Sequence, residues 1–265
     1  MESRATRLAL WAWVGLVLLF LYIPIVVICL YAFDNSNVQS WPISGLTTKW
    51  FGPAIHNGDM QQALWLSLEA AALATTVALV LGSMAAFGVH RFRFFGRESI
   101  SFLLVLPIAL PGIITGMALN SYFTYWKLNF GLLTIVIGHA TFCVVVVYNN
   151  VVARLRRVPG SLTEASMDLG ADGWQTFRFV TFPSISTALI SGGLLAFALS
   201  FDEVIVTTFT AGAQNTLPIW IFGQIRLGQQ LPQVNVVVFL ILALTIVPVA
   251  LAQRLTSESG ILRTE

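Results

Sequence analysis

The chain has 265 residues, of which 57% are hydrophobic and 10% are charged, and its formal net charge is +2. Soluble domains are about 45–50% apolar, so this composition and a mean hydropathy of +0.81 exclude an ordinary soluble protein. The two cysteines, Cys29 and Cys143, lie in apolar runs and predict neither a disulfide framework nor a metal site.

Six apolar segments of helical length predict an all-α membrane protein with six transmembrane helices. The first has no charged residue between Leu8 and Phe33 and is too long for the core of a cleaved signal peptide, so it predicts a membrane anchor. Transmembrane β-strands would be shorter and would alternate in polarity. Pro107, Pro111 and Gly112 predict a kink or break in the third segment. The predicted spans are 8–33, 62–89, 99–125, 131–152, 184–210 and 233–252.

The distribution of basic residues predicts that the N- and C-termini are both cytoplasmic. Lysine and arginine accumulate in the cytoplasmic loops of membrane proteins. With the N-terminus inside, three of the 14 basic residues lie outside, Lys49, Lys127 and Arg226, and the other 11 lie inside. The outer segments are then 34–61, predicted to be packed, and 211–232, predicted to be a short amphipathic or re-entrant piece.

The polar loop between the fourth and fifth spans, 153–183, begins with a predicted short helix. Ser161 and Glu164 have the S-x-x-E spacing of a capping box, which predicts the start of the helix. Gly170 fits the left-handed position that ends a helix. Helical spacing predicts an apolar face made of Leu162, Ala165 and Leu169.

A second short helix is predicted to follow in the same loop. Asp172 and Gln175 have the spacing of another cap, and Pro183 marks the entry to the fifth span. This pattern leaves two interpretations open. The loop either folds on its own helix bundle, or it acts as a lever that receives force from a cytoplasmic partner.

A resemblance to a known family bears on this choice. Glu164-Ala165-Ser166, followed after three residues by Gly170 and after nine more by Val180-Thr181-Phe182-Pro183, resembles the E-A-A-x3-G-x9-I-x-L-P loop of ABC importer permeases. Three conservative departures occur, with Ser166, Val180 and Phe182 in place of Ala, Ile and Leu. The resemblance implies that the loop carries a coupling helix that docks on an ATPase subunit. The residues implied in this coupling are Glu164, Ala165, Ser166, Gly170 and Pro183.

The resemblance extends over essentially the whole chain. The segments 21–36, 45–51, 105–112 and 195–212 resemble the C-type subunit of spermidine/putrescine permeases, particularly its polyamine permease branch. It implies a single transmembrane permease domain, 1–265, with the type I ABC importer fold, in the bacterial plasma (inner) membrane. The implied cargo is putrescine, spermidine or a similar small organic cation.

The resemblance also implies a set of partners besides the lipid bilayer. They are a second permease subunit, expected to be a different homologue, two ABC ATPase subunits that bind ATP and Mg, and an extracytoplasmic solute-binding protein. The chain itself has no G-x-x-x-x-G-K-[ST] loop, because its only lysines, Lys49 and Lys127, do not follow glycines. The chain is therefore not expected to be an enzyme, and it is not expected to bind a cofactor, a metal or nucleic acid. His139 is expected to be a hydrogen-bonded residue of the helix bundle rather than a catalyst.

Three acidic residues inside the predicted spans carry a further hypothesis. A charge at the centre of a membrane helix costs roughly 2.5–3.5 kcal/mol on insertion scales, so Glu69, Asp202 and Glu203 are candidates for the outer part of a cation pathway. Adjacent helical residues point about 100° apart, so one of Asp202 and Glu203 would face the pathway, and which one is left open. The same acids could instead brace the assembly. The aromatic residues that are candidates for the pathway are Tyr122, Trp126 and Trp220.

The alternative function is a self-sufficient secondary transporter that is coupled to protons. In that case Glu69, Asp202 or Glu203 would take up the protons, and the chain would transport without an ATPase. The spacing of the loop motif argues against this alternative, because such a carrier has no ATPase to dock.

Overall fold

The computed structural model describes residues 4–92 and 95–245, and the regular secondary structure of these residues is helical apart from an isolated bridge between Asp34 and Leu46. The chain divides into two compact units, Met1–Gln61 with Ile221–Glu265 and Gln62–Trp220. The helices, in chain order, are α1 (Arg4–Ala32), α2 (Phe51–Ile55), α3 (Gly58–Arg91), α4 (Arg97–Ala109), α5 (Gly112–Tyr125), α6 (Leu132–Leu155), α7 (Gly160–Asp168), α8 (Gly173–Thr176), a π-helix (Phe177–Thr181), α9 (Phe182–Phe201), α10 (Ile205–Thr210), α11 (Leu217–Leu227) and α12 (Leu231–Thr245).

Four helical segments of the described chain are long and apolar enough to cross a membrane, namely α1, α3, α6 and the run from α8 to the end of α9. The number rises to five if α4 and α5 form one crossing. The predicted break in the third segment is confirmed, because α4 and α5 meet at an angle of 102° around Leu110 and Pro111. The predicted sixth segment, 233–252, extends beyond the described residues, and α12 covers its first part.

The prediction of one continuous helix over 184–210 is wrong. Helix α9 ends at Phe201 and α10 begins at Ile205, so Asp202, Glu203 and Val204 lie in a break between them. The Glu203 carboxylate accepts a hydrogen bond from the Val206 N–H at 2.9 Å and so satisfies a donor at the start of α10. Asp202 and Glu203 therefore do not lie on one helix, and the predicted angle of about 100° between their side chains does not apply.

Helix α10 packs closely against glycines of α5 and α6. A Cβ atom at Gly116 would come within 2.5 Å of the Phe209 ring, and one at Gly138 would lie 3.2 Å from Val206 Cγ1. Small residues let the backbones of two helices approach closely, so that van der Waals contacts and hydrogen bonds can hold the helices together. The approach brings polar side chains of α5 and α6 within reach of the backbone of α10.

Two of these side chains bind the last carbonyls of α10. Asn120 Nδ2 donates to Phe209 O at 2.7 Å, and Thr134 Oγ1 donates to Thr210 O at 2.7 Å. Carbonyls at a helix end have no partner within the helix, and in an apolar surrounding each unpaired group is costly. Both ends of this short helix are therefore held by side chains.

Helices α3 and α6 cross closely at Gly82, and we predict that Gly82→Ala destabilises the folded chain. A Cβ atom there would lie 2.8 Å from Val144 O and 3.1 Å from Tyr148 N, which are backbone atoms that cannot rotate away. Overpacking of this kind costs about 1–3 kcal/mol. The measurement is the thermal unfolding midpoint of the protein purified in mild detergent.

Gly88→Ala on the same helix is the control, because nothing lies within 4 Å of a Cβ atom at Gly88. Alanine is the better helix former by about 1 kcal/mol, so this variant is expected to keep or raise the unfolding temperature. Equal effects of the two substitutions would contradict a close crossing at Gly82.

In the unit formed by Met1–Gln61 and Ile221–Glu265, several hydrogen bonds converge on the carboxylate of Asp34, just after α1. Asp34 Oδ1 accepts hydrogen bonds from the N–H and hydroxyl of Ser44, at 3.0 and 2.9 Å, and from Ser36 N at 3.2 Å. Burial raises the pKa of Asp34, but these hydrogen bonds together outweigh burial and hold the pKa below its ordinary value. Hydrogen bonds thus tie a few residues of the segment 34–61 to Asp34, whereas most of the segment is exposed, Trp41 to 79%.

Candidate functional site

The loop at 153–183 contains two short helices, as predicted, but the first begins differently. Pro159 has extended backbone angles and precedes α7, and no side chain caps the helix. The predicted capping box between Ser161 and Glu164 is therefore wrong. Because the helix starts at Gly160, Ser161 already lies within its first turn and cannot serve as the cap. Glu164, Ala165 and Ser166 all lie on α7.

The turn after α7 matches the prediction. Gly170 has a φ of +87°, in the left-handed region that favours glycine. Gly170 N donates to Met167 O at 2.9 Å and Ala171 N donates to Ser166 O at 3.1 Å. These two bonds form a Schellman motif, which satisfies the last carbonyls of the helix. The turn after the candidate coupling residues therefore depends on glycine.

The second helix is fixed to the first. Asp172 Oδ1 accepts from Gln175 N at 2.8 Å and Gln175 Oε1 accepts from Asp172 N at 2.9 Å, which confirms the predicted second cap. The hydroxyls of Ser166 and Thr176 lie 3.1 Å apart and join α7 to α8. Pro183 lies in the first turn of α9, directly after the π-helix.

The apolar side chains of this loop face solvent. Leu169 is 89% exposed, although it belongs to the face that the spacing predicts. We refer to three exposed apolar residues of this loop as the loop apolar face: Leu162 (47% exposed), Leu169 and Trp174 (66%). Soluble parts of proteins seldom expose clustered large apolar side chains unless they bind something. The rest of the described chain leaves these three side chains uncovered.

An aromatic stack connects the loop to the end of α3. The Phe177 ring lies 5.7 Å from the Trp174 ring, 5.7 Å from the Phe87 ring and 6.1 Å from the Phe182 ring. A cavity of about 630 Å³ lies beside it, and its wall includes Glu164 of α7 together with His90 and Arg91 of α3. A displacement of α7 and α8 would thus be passed to α3 and to the start of α9.

The break between α9 and α10 separates the environments of the two acids in it. The Asp202 side chain is exposed and, within the described part of the chain, has no hydrogen-bond or ion-pair partner. Glu203 is half-buried and its carboxylate is bound to Val206 N. Glu69 lies exposed on α3, and no hydrogen bond or ion pair among the described residues joins it to either acid.

Two of the three candidate aromatics lie together. Tyr122, near the end of α5, and Trp126, which follows it, are 58% and 60% exposed, and their ring centroids are 6.3 Å apart. Trp220 on α11 is 5% exposed. Only Tyr122 and Trp126 of these three therefore present a ring face to their surroundings.

The prediction that His139 is a hydrogen-bonded bundle residue is confirmed, and its partners had not been predicted. The His139 ring is buried on α6, with Nδ1 at 2.7 Å from Ser200 Oγ of α9 and Nε2 at 2.7 Å from Thr207 Oγ1 of α10. The available signal was the spacing of Ser200, Glu203 and Thr207, which recur at i, i+3 and i+7 in an apolar run.

Comparisons with known proteins identify related sequences. Residues 78–257 match the family described as "Binding-protein-dependent transport system inner membrane component". The chain is 38% identical over 232 residues to the putrescine transport system permease protein PotI of Escherichia coli (strain K12), a match that covers 84% of this chain and 82% of PotI. It is 31% identical over 241 residues to the spermidine/putrescine transport system permease protein PotC of the same strain, with 90% of each chain covered.

A solved structure has a similar fold. It is a chain of a bacterial ABC transporter involved in the import of the acidic polysaccharide alginate, with a TM-score of 0.71 and 16% sequence identity. The match covers 97% of this chain and 98% of the other. At this identity the similarity concerns the fold alone.

Proposed function

Because the chain belongs to the family of binding-protein-dependent transport system inner membrane components, we propose that it is the permease subunit of an ATP-driven importer of polyamines. The cargo is putrescine, spermidine or a similar small organic cation, in line with the names of PotI and PotC. The exposed loop apolar face carries this proposal on the structural side, because it offers a docking surface for another subunit.

The loop is proposed to couple ATP hydrolysis to movement of the helices. Glu164, Ala165, Ser166 and Gly170 lie on α7 and its turn, beside the loop apolar face. When two ATPase subunits holding ATP and Mg close, they would displace α7 and α8. The Phe177 stack and the continuous backbone into α9 at Pro183 pass that displacement to α3 and α9.

The assembly around the chain follows from the same proposal. The chain, 1–265, forms one transmembrane permease domain of the type I importer fold with six spans, cytoplasmic termini and a cytoplasmic coupling loop at 153–183. A second permease, a different homologue, completes the pathway. A solute-binding protein delivers the cargo from outside at the segments 34–61 and 211–232. The chain itself performs no catalysis and binds no cofactor.

The pathway for the cation is proposed to include the break between α9 and α10. The Asp202 carboxylate is exposed and unpartnered within the described residues, so it is available to an ammonium group. Glu69 adds negative charge, and the exposed rings of Tyr122 and Trp126 can pack on methylene groups or ammonium ions. Trp220 is buried, so it would support the pathway wall rather than contact the cargo.

The proton-coupled carrier is the weaker alternative. A carrier that works alone has no use for an apolar face exposed on a capped loop. Neither the family nor PotI and PotC support it, because all are described as parts of transport systems.

Gentle purification of the tagged chain from its native membrane tests the proposal. We expect vanadate-sensitive ATP hydrolysis to co-purify with the chain, and reconstituted vesicles to accumulate radiolabelled putrescine or spermidine when ATP and the binding protein are supplied. A chain that purifies alone and accumulates the cation under a pH gradient without ATP would contradict the proposal and favour the proton-coupled carrier.

A further inference from the structure

We propose that His139 is a positioning residue for Asp202: through Ser200 and Thr207 it fixes the break between α9 and α10 in the shape that presents the Asp202 carboxylate. This inference rests on the proposed function, in which Asp202 meets the transported cation. The residue acts without touching the cargo, because its side chain is 1% exposed.

The hydrogen-bond partners assign the tautomer of His139. Thr207 Oγ1 donates its proton to Glu203 O at 2.7 Å, so at the 2.7 Å contact with His139 Nε2 its oxygen accepts. A neutral imidazole has one donor and one acceptor, so Nε2 carries the proton and Nδ1 accepts from the Ser200 hydroxyl at 2.7 Å. The chain of bonds therefore runs from Ser200 of α9, through His139 of α6, to Thr207 of α10 and the carbonyl of Glu203.

This chain of bonds holds Glu203 at two atoms. Its carbonyl accepts from the Thr207 hydroxyl, and its carboxylate accepts from Val206 N at 2.9 Å. Its neighbour Asp202 caps the end of α9 with its N–H bonded to Ala198 O at 3.1 Å, while its side chain is exposed. The break thus assigns a structural role to Glu203 and leaves the carboxylate of Asp202 for a cation.

His139 can set this geometry because α10 is fixed closely against α6. His139 follows Gly138, whose missing side chain lets α10 approach α6, and the far end of α10 is bound by Asn120 and Thr134. With both ends of α10 fixed, the residues of the break have little room to rearrange. The end of α9 also places the negative end of a helix dipole beside Asp202, which favours a cation there.

A pair of neighbouring threonines provides the test. Thr207→Val removes the hydroxyl that joins His139 to Glu203 and keeps the shape of the side chain. Thr208→Val is the matched control, because Thr208 Oγ1 also donates to a carbonyl four residues earlier, Val204 O at 2.7 Å, but its side chain is exposed. Thr207→Ser should restore the bond and the activity.

The readout is ATP-driven uptake of radiolabelled putrescine or spermidine per assembled complex, with assembly measured from the co-purified ATPase. We expect Thr207→Val to lower this uptake about 10-fold, the loss expected when one buried hydrogen bond no longer positions the binding group. Thr208→Val and Thr207→Ser are expected to keep uptake within about 2-fold of the original. Equal losses in Thr207→Val and Thr208→Val, or a loss of assembly with normal uptake per complex, would overturn the inference.

A double-mutant cycle with Asp202→Asn separates positioning from general support of the fold. If His139 acts through Asp202, Thr207→Val adds no further loss once Asp202 is already Asn. Losses that multiply would show that the cluster acts elsewhere, and the inference fails. If Asp202→Asn alone leaves uptake unchanged, the inference fails together with the acidic pathway, whereas co-purification of the ATPase still tests the proposed permease function independently.

Discussion

Replacing Leu169 with Asp is expected to separate the ATPase subunit from this chain. Leu169 is 89% exposed at the end of α7, next to Gly170. Burying a leucine against a partner contributes about 1.5–3 kcal/mol, and an unpaired carboxylate in the same contact costs more. Together these terms predict an affinity at least about 100-fold lower. The measurement is the ratio of ATPase to permease after purification, with ATP-driven uptake measured in parallel.

Phe95→Asp is the control for this substitution. Phe95 is fully exposed between α3 and α4, a loop that the distribution of basic residues predicts to lie on the same side of the membrane. It introduces the same charge away from the coupling loop and is expected to leave the ATPase bound. Retention of the ATPase in Leu169→Asp, or its equal loss in both variants, would show that the loop apolar face is not the docking surface.

The structure of the loop at 153–183 could be predicted from sequence where it depends on neighbouring residues. The turn at Gly170 and the cap formed by Asp172 and Gln175 are local interactions, and both match the structure. The cap at Ser161 was wrong because Pro159 already sets the backbone for a helix that starts at Gly160. The exposure of Leu169 could not be predicted, because an apolar face has the same spacing whether it packs on its own bundle or on a partner.

The two broken helices show the same limit. Proline and glycine predict the break between α4 and α5, because these residues disturb the helix at their own positions in the sequence. The break after Phe201 has no such signal, and it depends on contacts from distant parts of the chain. His139 binds Ser200 and Thr207, which lie 61 and 68 residues further along. A single sequence shows that these residues are polar but not that they meet.

Asp202→Asn is expected to reduce cation uptake by about 100-fold or more while the ATPase remains bound. Two unit charges about 4 Å apart interact with about 4 kcal/mol at an effective dielectric constant near 20, so loss of the charge removes most of the attraction for an ammonium group. The amide keeps the size of the side chain, and the Asp202 carboxylate has no hydrogen-bond or ion-pair partner among the described residues that the change would disturb. Uptake per assembled complex is the measurement, and Asp202→Glu, which keeps the charge, should retain part of it.

Glu203→Gln is the comparison that makes this prediction specific. The Gln side chain still offers an oxygen to Val206 N, which the Glu203 carboxylate binds at 2.9 Å, so the start of α10 is expected to survive. The loss of uptake should therefore be much smaller than in Asp202→Asn, although the two residues are adjacent and carry the same charge. Equal losses would mean that net negative charge in the break, rather than the position of one carboxylate, attracts the cation. A larger loss in Glu203→Gln would reverse the assignment and make Glu203 the residue that meets the cargo.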